Sequence, residues 1–195
     1  MEETFRLFVG VTLSDAARAA VTDAQAALRE DAPRVRWESP ERLHITLAFL
    51  GATPAHRVDE IRARLREATA LSVAHELTLR DVGAFPAPSR PSVIWIGVAS
   101  EMDRLTAVQR DIAAALSAIG FTMETRPFHA HVTIGRVPRA ASADVRRSAA
   151  RALSAPLKVA PISWRAEGVA LFRSYPDRAG APYEAMALSP FNNKK

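Results

Sequence analysis

The 195-residue chain has no cysteine, which excludes a disulfide framework, a thiol nucleophile and every thiolate metal site, and fits a reducing compartment. Lysine is almost missing as well. Lys158, Lys194 and Lys195 stand against 26 basic residues in all, so the positive charge is nearly all arginine. No apolar run approaches the ~18 residues of a membrane span. The opening "MEETFRLFVG" starts acidic and lacks the basic start of a signal peptide. Low-complexity tracts and long linkers are also lacking. These absences predict a cytoplasmic protein with no membrane segment, folded as one bilobal domain over residues 1–195. What is abundant is ordinary globular material, 48% hydrophobic and 24% charged, with a net charge of +5. An arginine-rich basic surface suits forked contacts to phosphate and attracts polyanions. It permits a nucleic-acid substrate without identifying one.

Period-2 and period-3.6 patterns alternate along the chain, the mark of mixed α and β structure. "TFRLFVGVT" sets Phe5, Leu7, Val9 and Val11 on one strand face, and Ser14 then caps an Ala-rich helix that ends near Asp31 and Pro33. A strand is expected over 43–50. Thr53 and Pro54 read as the cap and first turn of a helix carrying Val58, Ile61, Leu65 and Ala68 on one face. "ELTLRDVGAF" and "SVIWIGV" are strands joined by the turn-rich "PAPSRP". Leu105, Val108, Ile112, Leu116 and Ile119 form a helical stripe, with Gly120 where a helix stop is wanted. "HAHVTIGRV" is strand-like, a short helix is expected from Ser142 to about Leu153, and "SWRAEGVALFRS" and "YEAMALS" close the chain as two strands. The predicted order is β-α-β-α-β-β-α-β-α-β-β.

Two halves of this order resemble one another. "HITLAFLG" at 44 and "HVTIGRV" at 131 lie 87 residues apart, and each is followed by an amphipathic helix and a strand pair. That is too long for a solenoid repeat and suits a duplicated half-domain, so a pseudo-symmetric, two-lobed α+β fold is expected. In a strand, residues two apart share a face. His44 and Thr46 therefore point one way while Ile45, Leu47 and Phe49 anchor the other, and His131 and Thr133 are paired in the same manner over Val132 and Ile134. One such pair is an ordinary polar strand face; two in matching context point to a site. Two imidazoles with two short hydroxyls and no carboxylate cluster suit concerted acid and base work on a phosphate ester. One histidine removes a proton, the other donates one, and the threonine hydroxyls steady the non-bridging oxygens.

With these residues in hand, the sequence resembles the two-histidine phosphoesterases and, within them, the bacterial and archaeal RNA 2',3'-cyclic phosphodiesterases, also called 2'-5' RNA ligases. "RLFVGV", "ERLHITLAFLG", "SVIWIGV" and "RPFHAHVTIGR" match that family's segments in order, and the tetrads at 44–47 and 131–134 match its signature. Ala130 stands where many members have proline. The resemblance implies antiparallel sheets flanked by helices around a central cleft. It also implies metal-independent hydrolysis of RNA 2',3'-cyclic phosphate ends to 2'-phosphomonoesters, with reverse 2'-5' ligation open to the same site. His44 is the implied proton donor, His131 the implied acceptor, and Arg136 part of the extended motif. No cofactor is implied. The expected partner of a monomer is RNA with a cyclic phosphate end, tRNA fragments among them. A phosphodiesterase for small cyclic nucleotides or ADP-ribose cyclic phosphate shares the chemistry and stays open, as does a non-catalytic RNA-binding module.

Other candidates surround the motifs. Arg126 and Arg136 flank the second one as phosphate-binding candidates, though strict alternation points Arg136 away from His131 unless a bulge intervenes. Phe8, on the Arg6 face of the first strand, is a base-stacking candidate beside a cation, or else packs inside. His129 shares the parity of His131. Without further ligands at coordinating spacing it reads as a substrate contact and not half of a metal site. His56 and His75 read as surface, and Trp37, Trp95 and Trp164 as core.

Overall fold

A computed structural model describes residues 3–99, 101–154, 159–175 and 183–192. The alternating first segment forms β1 (Thr4–Thr12), and the Ser14 hydroxyl accepts from the Ala17 amide, 3.2 Å away, to start α1 (Asp15–Asp31). A two-residue strand β2 (Arg36–Trp37) precedes β3 (His44–Pro54). Then come α2 (Val58–Thr69), β4 (His75–Ala87), β5 (Arg90–Ala99), α3 (Met102–Ser117), β6 (His131–Arg136) and α4 (Ala143–Ala152), the last capped by Ser142. Strands β7 (Ser163–Ala166), β8 (Gly168–Ser174) and β9 (Tyr183–Pro190) end the described chain. Gly120 takes φ +88 just past α3, a left-handed stop that glycine adopts without steric cost.

Three expectations are corrected. "SWRAEGVALFRS" is two strands, β7 and β8, paired with different partners. Thr53 is not a cap: it is fully buried at the end of β3, and a short 3-10 turn over Ala55–Arg57 leads into α2 with no side-chain cap. His75 is not on the surface: it begins β4, 1% exposed, its ring stacked on Phe191 and its Nδ1 3.0 Å from the Val73 carbonyl.

The named strands pair antiparallel throughout, in the order β7-β4-β5-β6-β3-β1-β8-β9, with β2 beside β6. The curled sheet is a half-barrel with helices packed on one face. About the β6–β3 junction the order is pseudo-symmetric, with β6 and β5 on one side answering to β3 and β1 on the other. The 87-residue offset that relates the two H-x-T pairs also relates Phe8-Val9-Gly10-Val11 in β1 to Trp95-Ile96-Gly97-Val98 in β5, a second repeat that sequence reading passed over. Leu7, Val9, Ile45, Ile94, Ile96, Val132, Ile134 and Leu171 point from the strands into a core closed by Val21 and Leu28, Ile61 and Leu65, Ile112 and Leu116, and Ala149, from the four helices in turn. Each fully buried Leu or Ile contributes about 1.5–3 kcal/mol over its exposed state. Because the helices cover this face, the other is open. Among the described residues no helix is long and apolar enough to cross a membrane.

Candidate active site

The central strands meet at one pair, Ile45 opposite Val132, both fully buried on the helix side. In an antiparallel ladder their neighbours cross over, so His44 lies toward Thr133 and Thr46 toward His131, all four on the open face. The structure thus brings the two motifs into one site across the pseudo-two-fold axis.

Both imidazoles are held the same way. The His44 ring nitrogen Nδ1 is 2.7 Å from the Arg42 carbonyl, and His131 Nδ1 is 2.7 Å from the His129 carbonyl. A carbonyl only accepts, so each Nδ1 carries the hydrogen and each Nε2 is left to take or give a proton. Each ring also has an aromatic edge-on neighbour: Tyr183 stands 5.2 Å from His44 at 87°, and Phe85 stands 5.2 Å from His131 at 86°. Burial among these rings pushes His44 down to about 4, with the Arg136 and His131 charges adding to the effect. His131 is lowered too, by burial first and then by the charges of His129 and Arg136. Both threonines are half-buried on that face, each two residues along its strand from the histidine of its own motif.

The bulge that Arg136 requires is present. Strand β6 slips against β5 so that Trp95 faces Thr133 and Ile94 faces Gly135, skipping Ile134. Arg136 then stands opposite Val93 on the open face, and it is the cation whose charge acts on both histidines. Glu38 holds its Nε at 3.1 Å. The carbonyl of Ile134, freed by the slip, accepts from the Gln25 side-chain amide at 2.7 Å and from the Glu38 backbone amide at 2.9 Å. Gln25 is itself 2% exposed and reaches the Glu38 carbonyl at 2.8 Å. An equivalent slip in β3 skips Leu47, whose carbonyl accepts from the Gln109 side chain at 3.3 Å. Two helix glutamines therefore hold the two bulges, one from each half.

That β3 slip corrects the expectation for Phe49. Instead of anchoring the core beside Ile45 and Leu47, it is 69% exposed on the open face, opposite Phe8, in the position that Arg136 holds in the other half. Phe8 is corrected in the other direction. It is 4% exposed, stacked 5.0 Å from Phe172 and 4.6 Å from His44, so it supports the imidazole and has no free face for a base. Arg6 is exposed on the same strand face, two residues further from the histidines. Arg126 is not brought to the pair: it is exposed in the loop before β6 and bonded to Glu124 at 2.5 Å, holding that carboxyl at about 2. His129 is exposed beside His131, ring centroids 5.9 Å apart, and packs 4.6 Å from Trp95. Trp95 is thus a site residue and not core; the Trp95 ring lies where Gly83 leaves room, since a Cβ there would come within 2.2 Å of it. Trp164 is core as expected.

Sequence reading also missed Tyr183, Phe85, Gln25 and Arg42, whose guanidinium lies 5.6 Å over the Tyr183 ring. The Phe8/Trp95 repeat was the available signal for the aromatic surrounds. Beside His44, between β8, β9 and the start of α1, opens a cleft of about 350 Å³ that includes Arg18, Glu41, Leu43, Phe172 and Tyr183. Among the described residues, no three His, Asp or Glu side chains are grouped to hold a metal ion.

The family model described as "LigT like Phosphoesterase" matches the chain twice, over residues 11–95 and 96–183, in keeping with the two halves of the sheet. The chain is 38% identical over 134 residues to an RNA 2',3'-cyclic phosphodiesterase of Archaeoglobus fulgidus, covering 69% of this chain and 73% of that one. To a Geobacillus stearothermophilus protein of the same name it is 32% identical over 66% of its own length, and it spans 41% of that relative. A Thermus thermophilus crystal structure superposes with a TM-score of 0.77 at 25% identity, covering 97% of this chain and all of the other.

Proposed function

Because the chain belongs to the LigT-like phosphoesterase family, we propose that it is an RNA 2',3'-cyclic phosphodiesterase that uses His44 as general acid and His131 as general base. The observation that carries this reading is the matched pair of imidazoles, each with Nδ1 tied to a carbonyl 2.7 Å away and Nε2 left for the substrate. Neutral His131 takes a proton from water as the water oxygen attacks phosphorus in line. The bond from phosphorus to the ribose 3'-oxygen breaks, and that oxygen receives the Nε2 proton of cationic His44. The product is a 2'-phosphomonoester, and the pair resets by exchanging its proton with solvent.

Thr46 and Thr133 donate hydrogen bonds to the non-bridging oxygens, and Arg136 balances the charge that gathers there. These groups supply acid, base and charge stabilisation without a metal or cofactor. Run in reverse, with a 5'-hydroxyl in the place of water, the same transfers join two RNA ends by a 2'-5' linkage. We assign the reaction to a monomer, since both histidines and both threonines come from one chain, and to RNA ends such as those of cleaved tRNA.

The test uses a synthetic oligoribonucleotide ending in a 2',3'-cyclic phosphate, incubated with the protein in excess EDTA. Loss of the cyclic end at an undiminished rate is expected. No turnover, or turnover that returns only with a divalent cation, refutes the proposal.

A further inference from the structure

The cleft beside His44 extends away from His131, and its two ends differ in chemistry. Leu43 and Phe172, 2% and 8% exposed, with half-buried Tyr183, wall the part next to the imidazole. Such walls accept a flat apolar ring. The outer end carries Arg18 and Glu41. Their charges act on one another, and each head is steadied by the protein: Arg18 donates to the Pro40 and Leu13 carbonyls, and the Glu41 carboxylate accepts from Ser39 and from its own backbone amide. An ionised carboxylate at this end repels a second phosphate and accepts hydrogen bonds from a neutral donor. The ligand that belongs here is therefore a base and not the next phosphate of a chain.

We propose that this cleft is the pocket for the terminal nucleobase, and that Glu41 with Arg18 makes it prefer guanine. This rests on the phosphodiesterase reading, which places the ribose 3'-oxygen at His44. The pairing edge of guanine presents one acceptor, O6, beside two donors, N1–H and the N2 amino group. The Glu41 carboxylate already accepts from Ser39 and from its own amide, and of its roughly four acceptor sites those that remain match the two donors. Arg18 has much of its fork committed, with one terminal nitrogen on the Pro40 carbonyl and the other 3.4 Å from the Leu13 carbonyl. It retains capacity for the single acceptor O6. Cytosine, with two acceptors and one donor, asks for the opposite balance. Adenine presents one donor, and uracil one donor between two acceptors that would face the carboxylate.

Two measurements test this on the full chain. Calorimetric titration with 2'-GMP, 2'-AMP, 2'-CMP and 2'-UMP reads the pocket without turnover. Turnover of four oligonucleotides that differ only in the base bearing the cyclic phosphate reads it in the reaction. The wild-type protein should favour guanine over uracil by about tenfold or more in both, the scale of a charge-assisted hydrogen bond. Glu41→Gln, which turns one acceptor into a donor, should bring the guanine-to-uracil ratio close to one. Equal binding of the four nucleotides by the wild type overturns the inference, and so does a ratio unchanged in Glu41→Gln. If no cyclic end is hydrolysed, the phosphodiesterase reading fails, and the binding ratios still decide the pocket.

Discussion

Hydrolysis requires a cationic His44 beside a neutral His131, and the free protein disfavours that state because burial holds His44 at about 4. His131 is also below the ordinary value of 6.5. At neutral pH both are uncharged until substrate arrives. The phosphodiester anion favours the imidazolium, so it raises the His44 value. Raising it to ~7 takes about 4 kcal/mol, at 1.36 kcal/mol per unit. A unit charge ~4 Å away supplies about that amount at an effective dielectric of ~20, so one well-placed phosphate suffices. The consequence is a split between two profiles. kcat/KM, which reports the free protein, should peak on the acid side of pH 6.5 and fall about tenfold per unit above it. kcat, which reports the complex, should hold level to a pH at least ~1 unit higher. Initial rates on a cyclic-phosphate oligonucleotide from pH 5 to 9 at constant ionic strength measure both. Superimposable falling limbs would refute the reasoning, as would a kcat/KM that rises through neutrality.

His44→Ala and His131→Ala should each lower turnover by about a hundredfold or more, with the fold retained by circular dichroism; near-parental rates in either would remove that residue from the chemistry. Gln25→Leu removes the side-chain donor to the Glu38 carbonyl and one of the two donors to the Ile134 carbonyl, which keeps the Glu38 amide, at about 1–3 kcal/mol in all. Its loss of kcat/KM should be largely absorbed in an Arg136→Ala background, because the bulge it holds places Arg136; additive losses would contradict that route. In Gly10→Ala the new Cβ would sit 2.7 Å from the Ile45 carbonyl and 3.5 Å from the His44 ring. A stability loss of about 1–3 kcal/mol in urea unfolding is expected, and a midpoint equal to the parent's would show that β1 and β3 have slack.

The elements were legible where local chemistry decides them. Ser14 and Ser142 cap the helices they precede, Gly120 stops α3, and the H-x-T parity puts His44, Thr46, His131 and Thr133 on one face. What period-2 reading cannot carry is a slip in register. The bulges at Leu47 and Ile134 depend on a partner strand and on Gln109 and Gln25 from distant helices. Strict alternation therefore put Phe49 inside and Arg136 outside the site. Phe8 shows the same limit from another side: a residue on the polar face of β1 is buried because Phe172 and His44, from two other strands, close over it. His75 followed a polar helix in sequence, yet the chain turns it inward onto Phe191.

The central claim is that the two histidines open a cyclic phosphate with the ribose 3'-oxygen leaving toward His44. Phosphorus NMR of the product from a 2',3'-cyclic-phosphate oligonucleotide tests it most directly. The account predicts a 2'-phosphomonoester as the sole new resonance, formed in EDTA and lost in His44→Ala. A 3'-phosphomonoester, or a cyclic phosphate that persists, would contradict it.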